Sequence, residues 1–102
     1  MNKPFLLNAF SLQMLTLAKP GDKVTVTFEV LPKLPATDTL ESAIGHQDTA
    51  NVLGVEAKRI NVKLNAGDTA YIAQFTGGRL PEGCTTLPEG IKLLPIKAEV
   101  QE

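Results

Sequence analysis

The stretch Val24-Thr25-Val26-Thr27-Phe28-Glu29-Val30 alternates apolar and polar side chains with a period of two. A strand sends successive side chains to opposite faces, so Val24, Val26, Phe28 and Val30 share one side, and Thr25, Thr27 and Glu29 the other. This predicts a β-strand lying with one face on a core and stopped by Pro32 and Pro35. Toward the N-terminus, Phe5-Leu6-Leu7 is a short continuous apolar run, the pattern of a strand buried on both faces. Asn8-Ala9-Phe10 predicts a turn, and Ser11 an N-cap to one or two amphipathic turns through Leu12, Met14 or Leu15, and Leu17. Lys19-Pro20-Gly21-Asp22 breaks that segment.

Toward the C-terminus, Asp38 to Leu53 reads as helical, in two pieces broken near Gly45-His46, with Asp48 or Thr49 capping the second. Ile60 to Leu64 and Thr69 to Phe75 read as two strands. They are joined by a hairpin connection, Asn65-Ala66-Gly67-Asp68, with glycine where a positive φ is expected. Thr76 to Gly90 is rich in turn residues, and Leu93 to Val100 is a last strand that Pro95 assigns to an edge or a late start. The expected fold class is α/β of the α+β kind. A single domain, residues 1–102, carries a mixed sheet of about five strands with short helices packed on it.

A chain of 102 residues, 43% hydrophobic and 21% charged, has the composition of one ordinary globular domain with a core of its own. Ten basic and eleven acidic residues leave a net charge of −1, without the Lys/Arg stripe that long nucleic acid demands, so no long nucleic acid is expected as a partner. Cys84 is the only cysteine and His46 the only histidine. No intramolecular disulfide can form, a cysteine-rich zinc site is excluded, and no metal or other cofactor is expected. Although Phe5-Leu6-Leu7 and the run from Phe10 to Ala18 mimic a signal peptide, Asn8, Ser11, Gln13 and Thr16 interrupt them. The expectation is a cytoplasmic protein with no membrane partner.

Three clusters stand out as chemistry. Asn8-Ala9-Phe10-Ser11 lies where a strand hands over to a helix, a place where backbone N–H groups meet anions. Ser42-Ala43-Ile44-Gly45-His46, followed by Thr49, puts the one histidine beside a glycine that admits a close approach. Arg79-Leu80-Pro81-Glu82-Gly83 lies in the long loop, where Arg79 can neutralise a phosphate and Glu82 can orient it or act as a base. Read blandly, the same residues are a serine cap, a structural histidine and an exposed turn with a surface ion pair. From the residues alone the result is a small mixed α/β domain with a candidate anion pocket around His46 and Arg79.

Taken together and in order, these blocks, with Met14-Leu15, Leu53 and Gly67-Asp68, resemble the viral anti-CRISPR ring nucleases over roughly residues 4 to 83. Relatives of that family occur in archaeal viruses, phages, mobile elements and some bacterial type III CRISPR loci. The resemblance implies a homodimeric, metal-independent enzyme that cleaves cyclic tetra-adenylate, the alarm signal of type III CRISPR complexes, to linear di-adenylate with 2′,3′-cyclic phosphate ends. By that resemblance His46, Arg79 and Glu82 are catalytic, and Asn8, Ser11, Gly45 and Arg59 contact the substrate. The chain departs from many relatives in its glycine pair Gly77-Gly78 and in the stretch Cys84-Thr85-Thr86-Leu87-Pro88-Glu89-Gly90, which lacks their charged helical segment. Two alternatives of different class remain: a module that captures a cyclic oligonucleotide or another nucleotide without cutting it, and a small DNA-binding protein of a mobile element.

Overall fold

The computed structural model describes residues 3–16 and 19–101. Five strands form one mixed sheet: β1 (Phe5–Leu7), β2 (Val26–Val30), β3 (Glu41–Ser42), β4 (Thr69–Thr76) and β5 (Lys92–Val100), in the order β2-β5-β4-β1-β3. The one α-helix, α1 (Gln47–Leu53), and two 3₁₀ turns at Leu12–Met14 and Thr37–Thr39 complete the regular structure of the described residues. The mixed five-stranded α/β class is as the sequence predicts.

β1 is the middle of a parallel trio. Phe5, Leu6 and Leu7 pair with Ala70, Tyr71 and Ile72 of β4, and Phe5 and Leu6 pair with Glu41 and Ser42 of β3 on the other side. A strand so placed is covered on both faces. Leu7 joins Leu15, Val62, Leu64, Ala70, Ile72, Ala98 and Val100 on one side of the sheet. Its neighbour Leu6 joins Leu40, Ile44, Ala50 and Ala73 on the other. Leu6 and Leu7 are 0% and 1% exposed, so the unbroken apolar run Phe5-Leu6-Leu7 reports its position faithfully.

Several sequence expectations are corrected. β2 begins at Val26 and is an edge strand, paired on one side only with β5. Val24 and Val26 pack on the core, whereas Phe28 and Val30, 54% and 64% exposed, run beyond it. Pro95 is not at an edge, because β5 lies between β2 and β4. Its carbonyl accepts from Leu31 N–H at 2.9 Å, just past the end of β2. N and O of a strand residue point to the same side, so the missing proline N–H faces that open end and the β4 ladder loses nothing.

Ile60 to Leu64 is not a sheet strand. Both edges of β4 are occupied, by β1 and β5, so the segment lies over one face. It makes a single parallel bridge, Leu64 with Leu15, and drops Val62 and Leu64 into the core. The connection after it is therefore not the expected hairpin, since it joins no paired strands, but its turn keeps the glycine at positive φ: Asp68 N–H reaches Asn65 O at 3.0 Å, and Gly67 has φ +89°.

The first half of the expected Asp38–Leu53 helix is a 3₁₀ turn followed by β3. The free edge of β1 recruits Glu41 and Ser42, with Ala43 N–H on Leu6 O at 2.8 Å. Ser42 Oγ donates to Glu56 O at 2.7 Å and accepts from Ile44 N–H at 3.4 Å, bonds that compete with helical ones. The second half is α1, whose N-cap residue is His46, not Asp48 or Thr49, and which Gly54 terminates in the left-handed region. Ser11 caps its 3₁₀ turn as expected, accepting from Gln13 N–H at 3.3 Å. The expected continuation through Leu17 lies outside the described residues. No helix among the described residues is long and apolar enough to cross a membrane.

Candidate functional site

The chain leaving β1 turns to the Leu7 face, carrying Met14 and Leu15 there, while the chain leaving β3 turns to the Leu6 face, carrying Ala50 and Leu53. Neighbouring parallel strands whose continuations part to opposite faces open a crevice at their carboxyl ends, the usual ligand position in α/β sheets. Asn8 follows β1 directly, Gly45 and His46 follow β3, and Phe75 is the last residue but one of β4. A cleft of about 830 Å³ lies there.

Six of the residues singled out in the sequence line this one cleft: Asn8, Gly45, His46, Arg59, Arg79 and Glu82. They come from four separated segments. Thr49 and Ala73, both buried, stand behind them, whereas Asn8, His46, Arg59, Arg79 and Glu82 keep exposed side chains. Ser11 is not among the lining residues; its hydroxyl is engaged with Gln13 as a cap.

Gly45 and Arg59 form a pair. Arg59 Nε donates to Gly45 O at 3.2 Å, and a Cβ on Gly45 would lie 3.1 Å from Arg59 Cγ. Lys58 N–H on Ile44 O, at 2.9 Å, holds the two segments together. Arg59 therefore rests on the turn that presents His46, with part of its guanidinium free for a ligand. It precedes an extended segment, not the sheet strand expected after it.

Arg79 and Glu82 do not form the surface ion pair of the bland reading. The ion pairs of the described residues are Lys58–Glu56 and Lys97–Glu99, both outside the cleft. The charged ends of Arg79 and Glu82 are thus available. Glu82 lies in the turn Pro81-Glu82-Gly83-Cys84, closed by Cys84 N–H on Pro81 O at 3.2 Å, with Gly83 at φ +77° in the third position, where a type II turn requires glycine.

Sequence reasoning missed Asp48 as a site residue. It lines the cleft from the first turn of α1, and its Oδ1 accepts from Gly83 N–H at 2.9 Å. Asn51, one turn on, donates from Nδ2 to Cys84 O at 3.4 Å. An acidic residue two positions after the only histidine was the one available signal. Among the described residues no group of three His, Cys, Asp or Glu side chains is placed to hold a metal ion.

The family model described as STIV B116-like matches residues 4–98. The chain belongs to the STIV B116-like family. Among solved structures it is similar to B116 of Sulfolobus turreted icosahedral virus, with 27% sequence identity and a TM-score of 0.62. That match covers 96% of this chain and 99% of the viral protein, so the likeness extends over nearly the whole of both chains. No curated protein matches the chain. Membership in the STIV B116-like family makes this a small protein of a kind found in an archaeal virus.

Proposed function

We propose that this STIV B116-like protein is a ring nuclease that binds cyclic tetra-adenylate and cleaves it to linear di-adenylate with 2′,3′-cyclic phosphate ends, silencing type III CRISPR signalling in the cytoplasm of the host cell. The observation that carries this reading is the gathering of His46, Arg79 and Glu82 with Asn8, Gly45 and Arg59 in one cleft at the carboxyl ends of β1 and β3.

RNA brings its own nucleophile. The ribose 2′-oxygen attacks the adjacent phosphorus, a P–O2′ bond forms, and the P–O5′ bond breaks. The alkoxide at O5′ is a poor leaving group, so proton donation to it contributes about 10²–10⁴-fold. His46, an exposed N-cap residue whose side chain makes no capping bond, is the donor in its protonated form. Arg79 offsets the charge that grows on the phosphoryl oxygens, where a planar guanidinium can make two parallel hydrogen bonds. Glu82 holds Arg79 or the attacking 2′-hydroxyl, whose proton leaves to it or to solvent. Asn8, the Gly45 backbone and Arg59 seat the ring. No step requires a metal.

A ring with four equivalent nucleotides matches a two-fold axis, so a homodimer offers two equivalent cuts and yields two di-adenylates. Ser11 does not line the cleft of its own protomer and is given no step in this chemistry.

The test is incubation with cyclic tetra-adenylate in EDTA, with products read by mass spectrometry. Linear di-adenylate with cyclic phosphate ends is expected, and His46→Ala should keep binding while losing about 10²–10⁴-fold in turnover. A ring bound and left intact by the native protein sinks the enzyme reading and favours capture. No binding of the ring, with a salt-dependent shift of duplex DNA, favours the DNA-binding alternative.

A further inference from the structure

The loop between Thr76 and Lys92 carries both Arg79 and Glu82, and it is held at two places. At its base, Gly77 packs against the carbonyl of Gly90 so closely that no Cβ fits, and both glycines have positive φ. Near its tip, the two-residue segment Gly83-Cys84 is gripped by α1 at both ends, at the N–H that enters it and at the carbonyl that leaves it. Asp48 Oδ1 takes the Gly83 N–H at 2.9 Å, and Asn51 Nδ2 gives to the Cys84 carbonyl at 3.4 Å. Asn51 is itself oriented by Gln47, whose Nε2 donates to Asn51 Oδ1 at 2.8 Å. Residues 47 and 51 are one helical turn apart and 48 and 51 nearly so, so a single face of α1 supplies the whole grip.

The gripped residues are half of the four-residue turn that bears Glu82, and the helix that grips them starts at His46. The seven residues of α1 thus tie the candidate acid at its cap to the turn of the candidate carboxylate. Without that tie, the loop is an exposed connection rich in glycine and proline, whose arginine and glutamate would sample many positions.

We propose that Asp48 and Asn51 are positioning residues that clamp the Gly83-Cys84 segment, by the Gly83 N–H and the Cys84 carbonyl, to α1 and so hold Glu82 and Arg79 in register with His46. The catalytic part of this inference rests on the ring-nuclease reading; the clamp itself does not. Neither residue need touch substrate to act. Asp48 acts through the Gly83 amide, and Asn51 through the Cys84 carbonyl.

The experiment compares the full-length native chain with Asp48→Ala, Asp48→Asn and Asn51→Ala. Two measurements are made on each: trypsin cleavage of the Arg79–Leu80 bond, and kcat and KM on cyclic tetra-adenylate. Loss of a hydrogen bond to a charged acceptor should open the loop, and Asp48→Ala should be cut about tenfold faster than the native chain. Asp48→Asn keeps an oxygen for the Gly83 amide and should restore most of the protection, although the charge is gone. Asn51→Ala should give a smaller increase. In turnover, Asp48→Ala should lower kcat by about 10–100-fold and change KM less, since misplacement by about 1 Å is enough for such a loss.

An unchanged cleavage rate in Asp48→Ala overturns the clamp. Failure of Asp48→Asn to restore protection also overturns it, because a plain charge effect would then account for the change. A loosened loop with kcat unaltered overturns the positioning role. If the native chain leaves the ring intact, the ring-nuclease reading and the positioning role with it are lost, and the proteolysis series still decides whether α1 holds the loop.

Discussion

Gly77 lies against the carbonyl oxygen of Gly90 at the base of the long loop, with φ +95° and no room for a side chain. Two constraints therefore fall on one residue: a backbone conformation that side chains rarely adopt, and a collision with backbone that cannot swing aside. Gly83, farther along the same loop, has φ +77° and open space around its Cβ position. Gly77→Ala should cost about 1–3 kcal/mol, whereas Gly83→Ala should cost only about 1 kcal/mol of backbone strain. Urea unfolding of the two variants checks this; equal losses would show that the Gly77–Gly90 contact carries no weight.

Arg59 resting on Gly45 gives a test that does not depend on catalysis. Gly45→Ala places a methyl group 3.1 Å from Arg59 Cγ and should push the arginine off its perch. Each of Gly45→Ala and Arg59→Ala should weaken binding of cyclic tetra-adenylate by about tenfold or more, the worth of one charged hydrogen bond to phosphate. Because both act through the same side chain, the double variant should bind no more weakly than Arg59→Ala alone. Additive losses in a calorimetric cycle would refute the pairing.

Leu6 and Leu7 are sequence neighbours that serve opposite faces of the sheet. Leu6→Ala and Leu7→Ala should each cost about 2–5 kcal/mol, since each empties a fully enclosed position. Together they approach the whole stability of a domain this size, about 5–15 kcal/mol, so the double variant should be largely unfolded by circular dichroism. A tolerant Leu6→Ala would mean that the α1 side of the sheet is not a true core.

The segment from Ile60 to Leu64 can be read by substitution. Val62 and Leu64 are 6% and 2% exposed, whereas Ile60 is 43% exposed. Leu64→Ala should lose about 2–5 kcal/mol, and Ile60→Ala under about 1 kcal/mol. Thermal melts separate these outcomes readily. Similar losses at both positions would favour a strand buried along its length.

The same segment shows why some of the fold was legible and some was not. Its alternation, Ile60-Asn61-Val62-Lys63-Leu64, is that of a strand, and from Asn61 to Leu64 the side chains do alternate between solvent and core, Ile60 alone departing from the pattern. What the pattern cannot convey is whether a neighbour has a free edge, and β4 has none. β3 is the converse: two residues with no pattern of their own become a strand because β1 offers an edge. By contrast, Thr69 to Phe75 and the turn at Gly67 were legible because alternation and turn chemistry are local. In the candidate site, Asn8, His46 and Arg79 stood out as polar interruptions. The role of Asp48 did not, because its partner Gly83 lies 35 residues away.

The loop that bears Arg79 and Glu82 joins two strands already held in register over eight pairs, from Thr69 with Glu99 to Thr76 with Lys92. The sheet is therefore complete without it. Lengthening a loop between fixed ends is mild in free energy, about 0.6 kcal/mol for each doubling. The chain thus keeps its architecture and its reach in separate hands. Insertions or deletions between Gly78 and Gly90 can reshape what the cleft embraces while the frame beneath goes on folding as before, which makes this connection the place where related sequences can diverge in the ligands they take.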